Sequence, residues 1–170
     1  VTHFEELDDK FFPNFKRHMI EGKEGAIQAL VGGNGPPLLM LHGDPQTHLC
    51  WHHIAPILAR DYTVVLTDLR GRGESHKPGH TPENIAYSKR IQALEQLEVM
   101  DTLGFKKFRL VGHDRGARVA RRMALDHPSR IERLVIMDIV PILDFYERTT
   151  AQIAQDYYYF FFLTQPNPIP

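Results

Sequence analysis

Short apolar runs broken by polar and glycine-rich punctuation dominate the chain, and their period changes along its length. Residues 16–21 and 26–31 read as two short strands joined at Gly22-Lys23-Glu24-Gly25. The turn cluster Gly32-Gly33-Asn34-Gly35-Pro36-Pro37 leads into the unbroken apolar run Leu38-Leu39-Met40-Leu41, the pattern of a strand covered on both faces. Leu49 to Arg60 suits a helix with Ile54, Ile57 and Leu58 on one side, and Tyr62 to Leu66 reads as a further buried strand. Ile91, Leu94, Leu97, Met100 and Leu103 recur at threes, a helical stripe closed by Gly104. A strand at Phe108–Val111, a helix from Arg115 to about His127-Pro128 and a strand from Arg133 to Ile139 follow. Strands alternating with helices predict an α/β fold, a mostly parallel sheet flanked by helices. The aromatic stretch Tyr157 to Leu163 is too short to span a bilayer and reads as buried or pocket-lining. The Pro-rich tail from Pro166 to Pro170 ends without a closing element.

Composition narrows the partners. A chain of 170 residues fits one domain with a core of useful size. With 20 Lys+Arg against 21 Asp+Glu, no global field favours nucleic acid or an anionic membrane. A single cysteine, Cys50, excludes an internal disulfide framework and fits a cytoplasmic, reducing setting. No signal peptide or membrane-length apolar run stands out. The chain opens on Val1 rather than Met, which implies an unusual start or an N-terminus that continues upstream.

The most informative residues are Gly112-His113-Asp114-Arg115-Gly116, directly after the Phe108–Val111 run. Strand, glycine-flanked turn and helix form the setting of a nucleophile elbow, with an aspartate at the apex where many such enzymes carry serine. An aspartate is ionised at neutral pH and can displace a leaving group from carbon directly, forming an ester. The plainer role for Asp114 is a helix N-cap; the two glycines and the apolar strand favour the nucleophile. Arg115 and Arg118 share a helix face and together can hold a carboxylate; a solvated basic face, extended by Arg121 and Arg122, is the alternative. Asp138 follows an apolar strand, at the sheet edge where α/β folds build their sites, and suits either a histidine-orienting acid or a turn cap. His42-Gly43-Asp44-Pro45 sits where an oxyanion donor loop belongs, although Asp44-Pro45 also resembles an N-cap and first helical residue. His48 and His52 are spaced i, i+4 with His53 adjacent, yet no acidic third ligand accompanies them, so an exposed helix face rather than a metal site is expected.

Together these stretches resemble the haloacetate (fluoroacetate) dehalogenases of the α/β-hydrolase superfamily. The likeness rests on Leu41-His42-Gly43, Pro45-Gln46-Thr47-His48, Asp68-Leu69-Arg70-Gly71, Gly112 to Arg118, Met137-Asp138-Ile139 and Gln165-Pro166. It implies an α/β-hydrolase fold, with residues 1–140 the N-terminal part of the core domain and 141–170 the start of a helical cap. It further implies Asp114 as nucleophile, Arg115 and Arg118 on the substrate carboxylate, Asp138 as triad acid, and the backbone N–H groups of Asp44 and Arg115 as oxyanion hole. The implied partner is a small halogenated carboxylate, and this chemistry calls for no cofactor or metal.

Three departures from the family pattern alter the expectation. Asp44 stands where the family usually has an aromatic residue; a carboxylate ~4 Å from a bound anion would cost roughly 4 kcal/mol at an effective dielectric near 20. Tyr159-Phe160 replaces a His-Trp pair that holds the departing halide, and only Tyr159 can donate a hydrogen bond. Chloro- and bromoacetate are therefore expected to outrun fluoroacetate. Finally, the family continues through a cap, two more strands and a late histidine that activates water, and none of the ten histidines here matches it. The expectation is a truncated domain whose ester persists, whose Leu134–Met137 strand is an unprotected edge, and which needs a homo-oligomer or a missing C-terminal segment. An epoxide hydrolase and a non-catalytic remnant are the rival readings.

Overall fold

The computed structural model describes residues 4–79, 82–162 and 165, so Val1, Leu163 and the Pro166–Pro170 tail lie outside the described residues. Two units result, Val1–Ile139 and Val140–Pro170. The first is built on one sheet of six strands, β1 (Lys16–Gly22), β2 (Gly25–Gly32), β3 (Pro37–Leu41), β4 (Thr63–Thr67), β5 (Phe108–His113) and β6 (Ile131–Met137). Their order is β1-β2-β4-β3-β5-β6. β1 and β2 pair as an antiparallel hairpin and β2 is antiparallel to β4, whereas β3–β4, β3–β5 and β5–β6 are parallel.

The period of two along each strand divides the core. Ile27, Leu39, Leu41, Val65 and Leu110 point into one cluster, against α3 (Lys89–Thr102) and α4 (Arg115–Asp126). Leu30, Leu38, Met40, Val64 and Leu66 form the other, with Phe12, Trp51 and Ala55. Helix α1 (Phe4–Phe11), which the apolar pattern did not announce, leads into Phe12, and its Asp8 is buried.

Three elements depart from the sequence reading. The helix expected over Leu49–Arg60 is two pieces: a 3-10 turn at His48–Trp51, capped by the Thr47 side chain, and α2 (Ala55–Leu58). Pro56 lacks an N–H and is tolerated only in a first turn, so a new helix begins there. On α3 the threefold stripe is only half right. Leu97 and Met100 are buried but Leu94 faces out, because the inward face also carries Gln92, Glu95 and Gln96. Most of those polar atoms have partners: Thr67 Oγ1 donates to Gln96 Oε1 at 2.7 Å, Arg70 Nε to Glu95 Oε2 at 2.9 Å and Gln92 Nε2 to Tyr87 O at 2.6 Å, whereas Gln96 Nε2 is buried without one. The last strand ends at Met137 rather than at Ile139, since Asp138 turns into the left-handed region at φ 53°. Leu134, Val135, Ile136 and Met137 are exposed along this edge strand.

In the second unit, α5 (Ile142–Glu147), α6 (Ala151–Asp156) and α7 (Tyr158–Phe162) gather aromatic rings around Phe145. The expected burial of Tyr157 to Leu163 does not hold for Tyr157, Tyr158, Tyr159 and Phe162, which are exposed. A ring cluster of this size covers its centre and leaves its outer faces to solvent. Among the described residues no helix is long and apolar enough to cross a membrane.

Candidate active site

β5 ends in a bend that only a glycine-flanked turn permits. Asp114 sits at φ 47°, ψ −116°, a conformation that costs an L-residue ~1–3 kcal/mol. The bend is held from outside: Asp114 N–H donates to Met137 O at 3.1 Å, and Asp114 O accepts from the Ala117 N–H at 3.0 Å. A Cβ at Gly116 would lie 2.4 Å from His42 O, and one at Gly43 only 2.8 Å from Asp114 Cβ. Close approach of three chain segments therefore places the Asp114 carboxylate against the β3 loop.

That loop supplies the first hydrogen bond to the carboxylate. Asp44 N–H donates to Asp114 Oδ1 at 3.0 Å. Asp44-Pro45 is not a helix start, as the residue types had allowed; the peptide is cis, and the next helical turn begins at His48. The loop is fixed at both ends. Burial keeps His42 below its ordinary pKa, so its neutral ring donates from Nδ1 to Gly43 O at 2.7 Å and accepts from Leu69 N–H at Nε2, 3.0 Å away. Gln46 Oε1 takes the Gly43 N–H at 3.1 Å and faces His113 Nδ1 at 3.0 Å.

The Asp44 side chain is committed to cations. Its carboxylate is bound by Arg72, with Nε at 2.6 Å, and lies 3.7 Å from Arg115 Nε. The penalty foreseen for a bare carboxylate beside a bound anion is thus offset by two guanidiniums. Arg115 and Arg118 are both half-buried on α4. Asp138 lies at the end of β6, largely exposed, with Oδ2 3.6 Å from His113 Nε2. Tyr159 belongs to α7 of the second unit, where its ring packs on Phe160 at 4.8 Å. The structure therefore brings together Asp114, Asp44, Arg115 and Asp138 at the carboxyl ends of β3, β5 and β6.

The chain matches the α/β hydrolase fold over residues 36–166. It belongs to that family. It is 46% identical over 159 residues to a fluoroacetate dehalogenase from Burkholderia sp, covering 94% of this chain and 52% of that protein. It is 39% identical over 112 residues to a soluble epoxide hydrolase from Corynebacterium sp. (strain C12), across 66% of this chain and 37% of the relative. Among solved structures, a putative α/β hydrolase from Nostoc sp PCC 7120 superposes with a TM-score of 0.91 at 51% identity, covering 94% of this chain and 55% of its own. The chain thus spans about half the length of the fluoroacetate dehalogenase and less of the epoxide hydrolase.

Two features of this α/β hydrolase escaped the sequence reading. Lys89, the first residue of α3, lines a cavity of about 190 Å³ with Asp44, Arg72, Tyr87, Gln92 and Arg115. Burial lowers its pKa to about 8, assisted by Arg115 and Arg118 and opposed by Asp44 and Asp114. A lone lysine after Ser88 carries no motif, so nothing in the sequence tied it to the elbow. The second is His48, which is fully buried rather than on an exposed face. Asp68 Oδ1 lies 2.9 Å from its Nδ1 and Asp8 Oδ1 2.6 Å from its Nε2. Burial alone would lower the imidazole pKa, but the two carboxylates outweigh it and raise it to about 9. Arg17 bonds Asp8 in turn, with Nε 2.9 Å from Oδ2.

Proposed function

We propose that Asp114 is a nucleophile that displaces halide from a short 2-halo acid. One Asp114 oxygen attacks the halogenated carbon, the C–O bond forms as the carbon–halogen bond breaks, and halide leaves with the bonding electrons. Because Asp44 N–H occupies Oδ1, Oδ2 is the attacking atom. Arg115 and Arg118 bind the substrate carboxylate and hold its α-carbon in line. Opening that ester would need water to add at Asp114 Cγ, pass its proton to a base, and break the Cγ–Oδ2 bond. None of the ten histidines matches that base, so the ester persists, and the addition would put negative charge on Oδ1. Asp44 N–H already faces that oxygen, and the N–H of Arg115, at the first position of α4, has no intrahelical acceptor and completes the hole. Bond-making and ester-opening therefore use the two oxygens of one carboxylate separately.

The observation that carries this reading is a carboxylate on a strained backbone, with Oδ1 bonded by the Asp44 N–H and two arginines in the first turn of the helix that follows. Likeness to a fluoroacetate dehalogenase supports it. Epoxide opening would begin with the same attack, and a relative of that class is present. An epoxide, however, has no use for paired guanidiniums beside the nucleophile. The test is incubation with bromoacetate followed by peptide mass mapping. Carboxymethylation is expected on Asp114 and is lost in Asp114→Asn. Cys50 is an internal control, since burial pushes its thiol up to about 12 and leaves it protonated at pH 8. An unmodified Asp114 refutes the proposal, and faster labelling by an uncharged epoxide than by bromoacetate reassigns the substrate.

A further inference from the structure

We propose that Lys89 is a carbamylation site, where carbon dioxide adds to Nζ and the resulting carbamate is held against Arg115. Lys89 opens α3 and Arg115 opens α4, and both line the cavity of about 190 Å³. Arg70, Arg72 and Gln92 on the same wall are already engaged, by Glu95, Asp44 and the Tyr87 carbonyl. Among the described residues, neither the Lys89 ammonium nor the Arg115 guanidinium makes a side-chain hydrogen bond, and no carboxylate lies within ion-pair distance of Lys89. Asp44, the carboxylate beside Arg115, stands 3.7 Å from its Nε, beyond hydrogen-bond reach. Asp138 lies outside this wall, with Oδ2 3.6 Å from His113 Nε2. Two donors from two helices thus face one space.

A half-buried ammonium beside a guanidinium sheds its proton more readily than one in water, and the free amine is a nucleophile. The Lys89 pKa, lowered to about 8, agrees with its surroundings. The neutral Nζ lone pair attacks the carbon of carbon dioxide. An N–C bond forms, one C=O electron pair moves onto oxygen, and the nitrogen proton passes to solvent. The product, –NH–COO⁻, is an anion where a cation stood, and no oxidant or reductant is consumed. Cationic neighbours therefore act twice in the same sense: Arg115 and Arg118 disfavour the ammonium and favour the carbamate. Asp44 and Asp114 oppose both effects, but the Asp44 carboxylate is bound by Arg72 and Asp114 Oδ1 by the Asp44 N–H. An aldehyde would instead give an imine, which takes up a proton and restores a cation beside Arg115. Carbon dioxide is the reagent this wall suits. Space admits its three atoms, since the cavity's roughly 190 Å³ exceeds the ~30 Å³ share of one water several times over.

Carbon-13 NMR of the full chain, equilibrated with carbon-13-labelled bicarbonate, tests the site. The α-amino group titrates at about 8 and forms a carbamate in every variant, so it serves as the internal reference. Wild-type carbamate intensity is expected to exceed that of Lys89→Arg and of Lys89→Met, in which only the reference remains. Arg115→Met lowers the Lys89 contribution about tenfold, the value of one charge-assisted hydrogen bond. At fixed total bicarbonate, that contribution rises with pH up to about 8 and then levels off, as Lys89, facing Arg115, Arg118, Asp44 and Asp114, completes its deprotonation. An exposed lysine would keep rising toward about 10.4. Wild-type intensity equal to that of Lys89→Arg, a contribution indifferent to Arg115→Met, or one that climbs on past pH 9 overturns the carbamate. The signal is read without substrate, so its outcome is separate from the role of Asp114.

Discussion

Raising the pH from 6.5 to 9 removes a stabilising charge through one side chain, His48. In the unfolded chain an imidazole titrates near 6.5; in the fold, between Asp8 and Asp68, it titrates at about 9. Below 6.5 both states hold the proton and the contribution is complete. Between 6.5 and 9 only the folded state holds it, so stability falls, and above 9 the contribution is gone. A displacement of this size corresponds to about 3 kcal/mol at ~1.36 kcal/mol per unit. Its origin is a four-charge cluster, Arg17 and His48 against Asp8 and Asp68, in which each buried carboxylate has a cation partner. Lys89 acts in the opposite sense, because its pKa is lowered from 10.5 to about 8. Above pH 8 the unfolded chain holds the lysine proton more tightly, which offsets the His48 loss up to pH 9 and raises stability beyond it. The net wild-type loss is thus concentrated between pH 6.5 and 8, about 2 kcal/mol. Urea unfolding of wild type and His48→Gln at pH 6.5, 8 and 9 separates the two, since the Lys89 contribution cancels in the difference. The gap between the proteins is expected to close by about 3 kcal/mol across that range. A gap independent of pH would show that His48 carries no proton in the fold, and the charge cluster would be refuted.

Three further outcomes follow from the packing. Arg70→Met leaves Glu95 buried without its guanidinium and costs about 3–5 kcal/mol in urea unfolding, and Arg70→Met with Glu95→Leu recovers most of it. Gly116→Ala drives a methyl against the His42 and Leu41 carbonyl oxygens and lowers stability by about 3 kcal/mol, whereas Gly79→Ala, with open space around it, is neutral. Asp114→Gly removes the strain at φ 47° and is expected to be about 1 kcal/mol more stable than Asp114→Asn, after the entropy of the added glycine is counted. Thermal melts showing the reverse order would place no strain at the elbow.

Much of this was legible in the residue pattern because it depends on local period. The β3 and β4 runs, buried on both faces, sit at the centre of the sheet as continuous apolar stretches must. Gly112 and Gly116 announced the elbow because close approach of strand and helix admits no Cβ. What escaped is what depends on distant partners. His48 looked like a surface histidine until Asp8, forty residues away, and Asp68 closed on it. Glu95 and Gln96 are buried against the rule for their types because Arg70 and Thr67 meet them there. Lys89 entered the site only through the placement of the α3 N-terminus, which no spacing in the chain encodes.

The strain at Asp114 shows how the site divides its labour. A residue at φ 47° persists only where its surroundings leave no alternative, and here the restraints come from three strands of the sheet. The Met137 carbonyl at the end of β6 takes its N–H, the Asp44 N–H beyond β3 takes its Oδ1, and Gly112 at the end of β5 lies against Ala117. The orientation of the Asp114 side chain is therefore a property of the parallel core rather than of the elbow alone. The polar wall of the neighbouring cavity has another origin: Arg72 lies on the loop after β4 and Lys89 opens α3. Neither is bonded to the Asp114 backbone among the described residues. Under the proposed function, substitutions at Arg72 or Lys89 leave Asp114 Oδ2 in place, whereas a methyl added at Gly43 or Gly116 is expected to disturb attack on every substrate alike.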